Sequence, residues 1–152
     1  MSLTCGLSTV KELFEKLERD SELLYEEVTS DRMFNFVVTG YSIIDWIKND
    51  PSVPQSAKDQ NQIQRLYNKQ WLKICGDLAT ASKHFKLTRR QGITSSSTSS
   101  QGYGVGRFGK GGFGIGEESI EILLNDGTNY DGLDLVNGVL NEWHQYFKLH
   151  GV

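Results

Sequence analysis

The chain has 152 residues and a formal net charge of −3, with 38% hydrophobic, 11% aromatic and 23% charged residues. That length and balance suit one domain, 1–152, around a single core, and they exclude wholesale disorder. No apolar run approaches the ~20 residues that cross a bilayer, and no basic region followed by an apolar stretch opens the chain, so neither a membrane association nor a secretory leader is expected.

Residues 1–8 read as a loose start. Thr9 and Glu12 have the spacing of a capping box, in which the hydroxyl accepts from a free amide and the carboxylate reaches back. Val10, Leu13, Phe14, Leu17, Leu24 and Val28 follow at three- and four-residue spacing, which predicts an amphipathic first helix over about 10–28. Thr29 and Asp31 then start a second helix over about 30–49. Its apolar residues, including Phe36, Ile43 and Trp46, cover most of the circumference. Such a helix belongs in the middle of a domain or at a homodimer interface. Asn49, Asp50 and Pro51 end it.

Ser56 and Asp59 suggest another cap. Ile63, Tyr67, Trp71, Ile74, Leu78, Ala81 and Phe85 then form one stripe, predicting a long third helix over about 57–85 with these residues in the core. Beside the stripe, Lys73, Asp77, Thr80 and His84 lie at i, i+4, i+7 and i+11. Residues 87–101 turn polar, with five serines between 95 and 100. Ser119–Leu124 alternates as a strand and stops at the Asn125-Asp126-Gly127 turn. Its expected partner is 92–99, giving a β-hairpin over about 92–124 whose long loop is the glycine-rich segment 102–116. Asp131 and Asp134 cap a last helix over about 132–148, with Leu135, Val136, Val139, Leu140, Trp143 and Phe147 on its apolar face. The expected fold is mainly α: a domain like a four-helix bundle, with a small β-hairpin inserted between the third and fourth helices.

The two cysteines, Cys5 and Cys75, are isolated, as in a reduced cytoplasmic protein, and no Cys/His spacing suits zinc. No metal or cofactor is expected. The glycine segment holds G-x-G-x-x-G twice, at Gly104/Gly106/Gly109 and Gly109/Gly111/Gly114, but it leads into a strand and lacks the βαβ context of a dinucleotide site. Gly104–Lys110 imitates a phosphate-binding loop, yet Gly111 stands where Ser or Thr would hold magnesium.

Charge is the sharpest functional signal. Residues 78–116 hold six Lys and Arg and no Asp or Glu; with −3 overall, the other residues carry −9. Such a split points to a phosphate-bearing or acidic partner. Lys83, Lys86, Arg89, Arg90, Arg107 and Lys110 are the candidate phosphate ligands, with Tyr103 and Phe108 as candidate stacking rings. Arg89, Arg90, Arg107 and Lys110 are expected to converge. His84, Asp77 and Lys83 are the candidates for acid–base chemistry, against a plainer reading of a Lys73–Asp77 surface pair and a histidine at a helix end.

The run DLATASKHF, the segment GRFGKGGFGIG, the I-x-I-x-x-x-DG strand and turn, and the final W-x-x-Y-F together resemble an uncharacterised family of small proteins of phages and mobile genetic elements, over roughly residues 33–150. The resemblance implies fold and context, not an activity. More distantly, a long helix ending in a Lys-His pair resembles the HEPN superfamily, which includes ribonucleases of toxin and defence systems. No Arg stands four to six residues before His84, His144 or His150, so the motif of those ribonucleases is missing. Three functions follow as expectations: a non-enzymatic module binding nucleic acid or an acidic protein, a HEPN-like nuclease using His84, and a structural or oligomerisation protein.

Overall fold

The computed structural model describes residues 3–101 and 118–152. The glycine segment, with Tyr103, Arg107, Phe108 and Lys110, lies outside the described residues. Nine elements follow one another: α1 (Val10–Glu26), α2 (Ser30–Asn49), α3 (Gln55–Lys58), α4 (Gln60–Asn68), α5 (Gln70–His84), β1 (Thr94–Gln101), β2 (Glu118–Leu124), β3 (Asn129–Asp131) and α6 (Gly132–His150). The described chain is therefore mainly helical, with one small antiparallel sheet in the order β1-β2-β3.

Local chemistry sets the helix starts. Thr9 and Glu12 form a reciprocal capping box on α1, Thr29 accepts from Arg32 N–H on α2, and Asp131 and Asp134 form a second box on α6. α1 carries a further cap from far away. The buried Asp50, just past α2, accepts the Val10 N–H at 2.7 Å and the Ser52 N–H at 2.8 Å.

α2 packs on α1 and α5, while α6 packs on α5 and α1. Phe36, Ile43, Ile44 and Ile47 of α2 are buried by other helices of the same chain, and Trp46 is half-buried. Phe34 remains on the surface. The α2 backbone comes close to its neighbours at Gly40, whose carbonyl accepts from the buried Trp143 indole at 3.1 Å.

The single third helix is a misreading. Asp59 leaves helical geometry and caps α4 through the Asn61 and Gln62 amides, and Lys69, with ψ of 128°, separates α4 from α5. A stripe counted at constant phase across Lys69 names the wrong residues, because one extended residue rotates everything after it. α5 buries Leu72, Ile74, Cys75, Gly76, Asp77 and Ala79. Trp71 and Leu78 are half-buried beside that seam, and Phe85 is outside the core altogether. Trp71 rests instead on α6, where a Cβ on Gly138 would come within 2.3 Å of its ring. Tyr130 covers its other side at 4.7 Å between centroids.

In the sheet, β1 pairs with β2 and Ser99 faces Ile120, while β2 also pairs with β3 after the turn at Gly127. β2 alternates as a half-buried strand, with Ile120, Ile122 and Leu124 inward. β3 was not anticipated; at three residues it is too short to leave a pattern. Edge strand β1 presents hydroxyls, with Ser95 to Ser100 exposed.

Candidate nucleic-acid interface

The α5–β1 connection is held by one buried charge cluster. Asp77 is 2% exposed, and its Oδ1 accepts from Arg90 Nε at 2.6 Å. Its Oδ2 accepts the Ile93 and Thr94 amides at 2.9 and 3.0 Å. The Arg90 guanidinium also donates to the Tyr41 hydroxyl at 2.8 Å and to the Lys73 carbonyl at 3.0 Å. Every arm of Arg90 is thus engaged, by α2, by two turns of α5 and by the carboxylate.

Gly76 makes the arrangement possible. A Cβ there would lie 2.5 Å from the Tyr41 ring and 2.6 Å from the Arg90 guanidinium. Burial alone would lower the pKa of Arg90, but its hydrogen bonds to Asp77 and Tyr41 outweigh this and raise it. Burial pushes the Tyr41 phenol up despite the nearby cation, and pushes the Cys75 thiol up to about 12.

Two expectations change here. Asp77 does not pair with Lys73; it is the anchor for Arg90. Arg90 is not a surface cation beside Arg89; it points inward. Asp77 and His84 stand seven residues apart on one helix, about 10 Å along its axis, and the carboxylate already has three donors.

Lys83 and His84 occupy the last turn of α5, where the helix dipole favours cations, and Lys86 and Arg89 follow in the connection. Lys83, His84, Lys86 and Arg89 are all exposed. Among the described residues, the ion pairs are Lys16–Asp20, Lys48–Asp45, Lys69–Glu142 and Arg90–Asp77, so Lys83, Lys86 and Arg89 form none with them.

A groove of about 310 Å³ runs between α2, α5 and β1, with Phe34, Val37 and Leu78 on one wall and Ser82, Ser97 and Ser99 on the other. One end is closed by Glu118, which accepts from Ser30 at 2.6 Å and from Ser99. Ser82 brings the groove to within one residue of Lys83.

No family model, curated protein or solved structure gives a significant match to this chain. Among the described residues, no group of three or more His, Cys, Asp or Glu is placed to hold a metal ion, and no helix is long and apolar enough to cross a membrane.

Sequence reasoning missed Tyr41 as a partner of Arg90 and missed the exposure of Phe85. The first had no local signal, since the two residues are 49 apart. The second had one: Phe85 sits between Lys83-His84 and Lys86, poor company for a core residue.

Proposed function

We propose that this protein is a non-enzymatic nucleic-acid-binding module whose cationic face comprises Lys83, Lys86 and Arg89. Arg107 and Lys110 are further candidate phosphate ligands, and Tyr103 and Phe108 candidate stacking rings. The observation that carries the reading is the different fate of neighbouring cations: Arg90 is bound within the fold, while Lys83, Lys86 and Arg89 stand exposed and form no ion pair with the described residues. Exposed cations free of carboxylates can release counterions when they meet phosphates. Binding is favoured over catalysis because Asp77, the carboxylate that helix spacing offered to His84, is taken up by Arg90, Ile93 and Thr94. The resemblance to small proteins of mobile elements agrees with nucleic acid as the partner.

Fluorescence anisotropy with labelled oligo(dT) across a salt series tests this. Wild type should bind more weakly as salt rises. The variant Lys83→Gln/Lys86→Gln/Arg89→Gln should lower the log–log slope by about 2, since each phosphate contact on a single strand contributes ~0.7. No binding at low salt, or an unchanged slope in the variant, would refute the reading.

A further inference from the structure

Two helices end on a residue with positive φ. α6 uses Gly151, at φ 68° and ψ 35°, where the missing Cβ removes the clash. α5 uses Phe85, at φ 69° and ψ −30°, with its N–H donating to the Ala81 carbonyl at 2.6 Å. A phenylalanine held in this region carries a conformational cost that glycine would not. Burial of the ring would ordinarily offset it. Phe85 is 89% exposed, so the fold recovers little from the side chain. A strained residue with no packing role is a reason to look for a partner outside the chain.

The surroundings narrow the partner. Lys83, His84 and Lys86 immediately flank the ring in sequence, Arg89 follows, and all four are exposed. We propose that Phe85 is a base-stacking platform and that the ligand of this face is single-stranded nucleic acid with unpaired bases. The inference rests on the nucleic-acid reading of the same face and sharpens it. A duplex hides the flat faces of its bases, leaving an exposed ring nothing to stack on. An acidic protein surface would satisfy the cations but offers the ring no flat apolar partner. An unpaired strand supplies both at once: the base covers the ring, and the adjoining phosphates meet the lysines and Arg89.

The test uses Phe85→Gly, which suits the backbone geometry and removes the ring. Binding is measured with four probes at one low salt concentration: oligo(dT), an abasic strand of equal length, a duplex, and polyglutamate. Wild type should prefer oligo(dT) to both the abasic strand and the duplex. Phe85→Gly should weaken oligo(dT) binding about 5- to 150-fold, the stacking contribution of one base converted to affinity, and leave the abasic strand unchanged. Its melting temperature should be equal to wild type or higher. Phe85→Trp should retain binding.

Equal affinity of Phe85→Gly and wild type for oligo(dT), or equal affinity of wild type for the base-bearing and abasic strands, overturns the stacking role while leaving a phosphate-binding face intact. A lower melting temperature in Phe85→Gly would show the ring packing on the protein and overturn it as well. Polyglutamate bound as tightly as oligo(dT) would assign the face to an acidic protein. Absence of any binding by wild type removes the underlying nucleic-acid reading itself.

Discussion

Arg90→Ala strips the guanidinium from a carboxylate that is 2% exposed, and leaves Tyr41 and the Lys73 carbonyl without their donor. Breaking a fully buried ion pair by removing one partner costs about 3–5 kcal/mol. The Arg90 side chain is 24% exposed, so water can reach part of the vacated space. The Ile93 and Thr94 amides also continue to hold Asp77. These two facts move the expected loss to about 2–3 kcal/mol. For a chain of this size, that lowers the melting temperature by about 5–10 °C. Arg90→Lys should recover little, because an ammonium cannot span three partners in a planar fork. Arg89→Ala should stay within about 0.5 kcal/mol of wild type in stability. Thermal melts followed by circular dichroism measure the difference, and hydrogen exchange should show lost protection at the Ile93 and Thr94 amides. If Arg90→Ala melts with Arg89→Ala and wild type, the cluster does not hold the α5–β1 connection and the reasoning fails.

Burial alone would raise the Asp50 carboxyl, but hydrogen bonds from Ser52 and the Val10 amide outweigh it and hold the pKa below the ordinary 3.8. Its contribution should therefore be full above pH 3.8 and lost as pH falls through the lower folded value; acid titrations of Asp50→Ala should show a shallower loss there, on top of about 1–3 kcal/mol less stability at neutral pH. Leu72→Ala should cost about 2–5 kcal/mol in urea unfolding, and Leu78→Ala clearly less, the reverse of what a continuous third helix would require. With the Cys75 thiol buried and pushed up to about 12, a thiol reagent should modify exposed Cys5 rapidly in the native protein and Cys75 only after unfolding. Rapid modification of both in native conditions would place Cys75 outside the core.

The starts of α1, α2 and α6 are legible in the sequence because a cap is a contact within one helical turn: Thr9 with Glu12, Thr29 with Arg32, Asp131 with Asp134. The inward face of β2 and the turn at Gly127 are legible for the same reason, since alternation and positive φ are properties of neighbouring residues. The charge split across 78–116 is likewise a property of the sequence alone. Tertiary structure decided the rest. One extended residue at Lys69 set the phase of α5, exchanging Leu78 and Phe85 for Leu72 and Cys75 in the seam. No pattern within a few residues distinguishes Arg89 from Arg90. Arg90 turns inward because Asp77 lies 13 residues before it and Tyr41 lies 49 before it, and Gly76 leaves the space between them. Contacts at that separation depend on how helices meet, and local periodicity carries no record of that meeting.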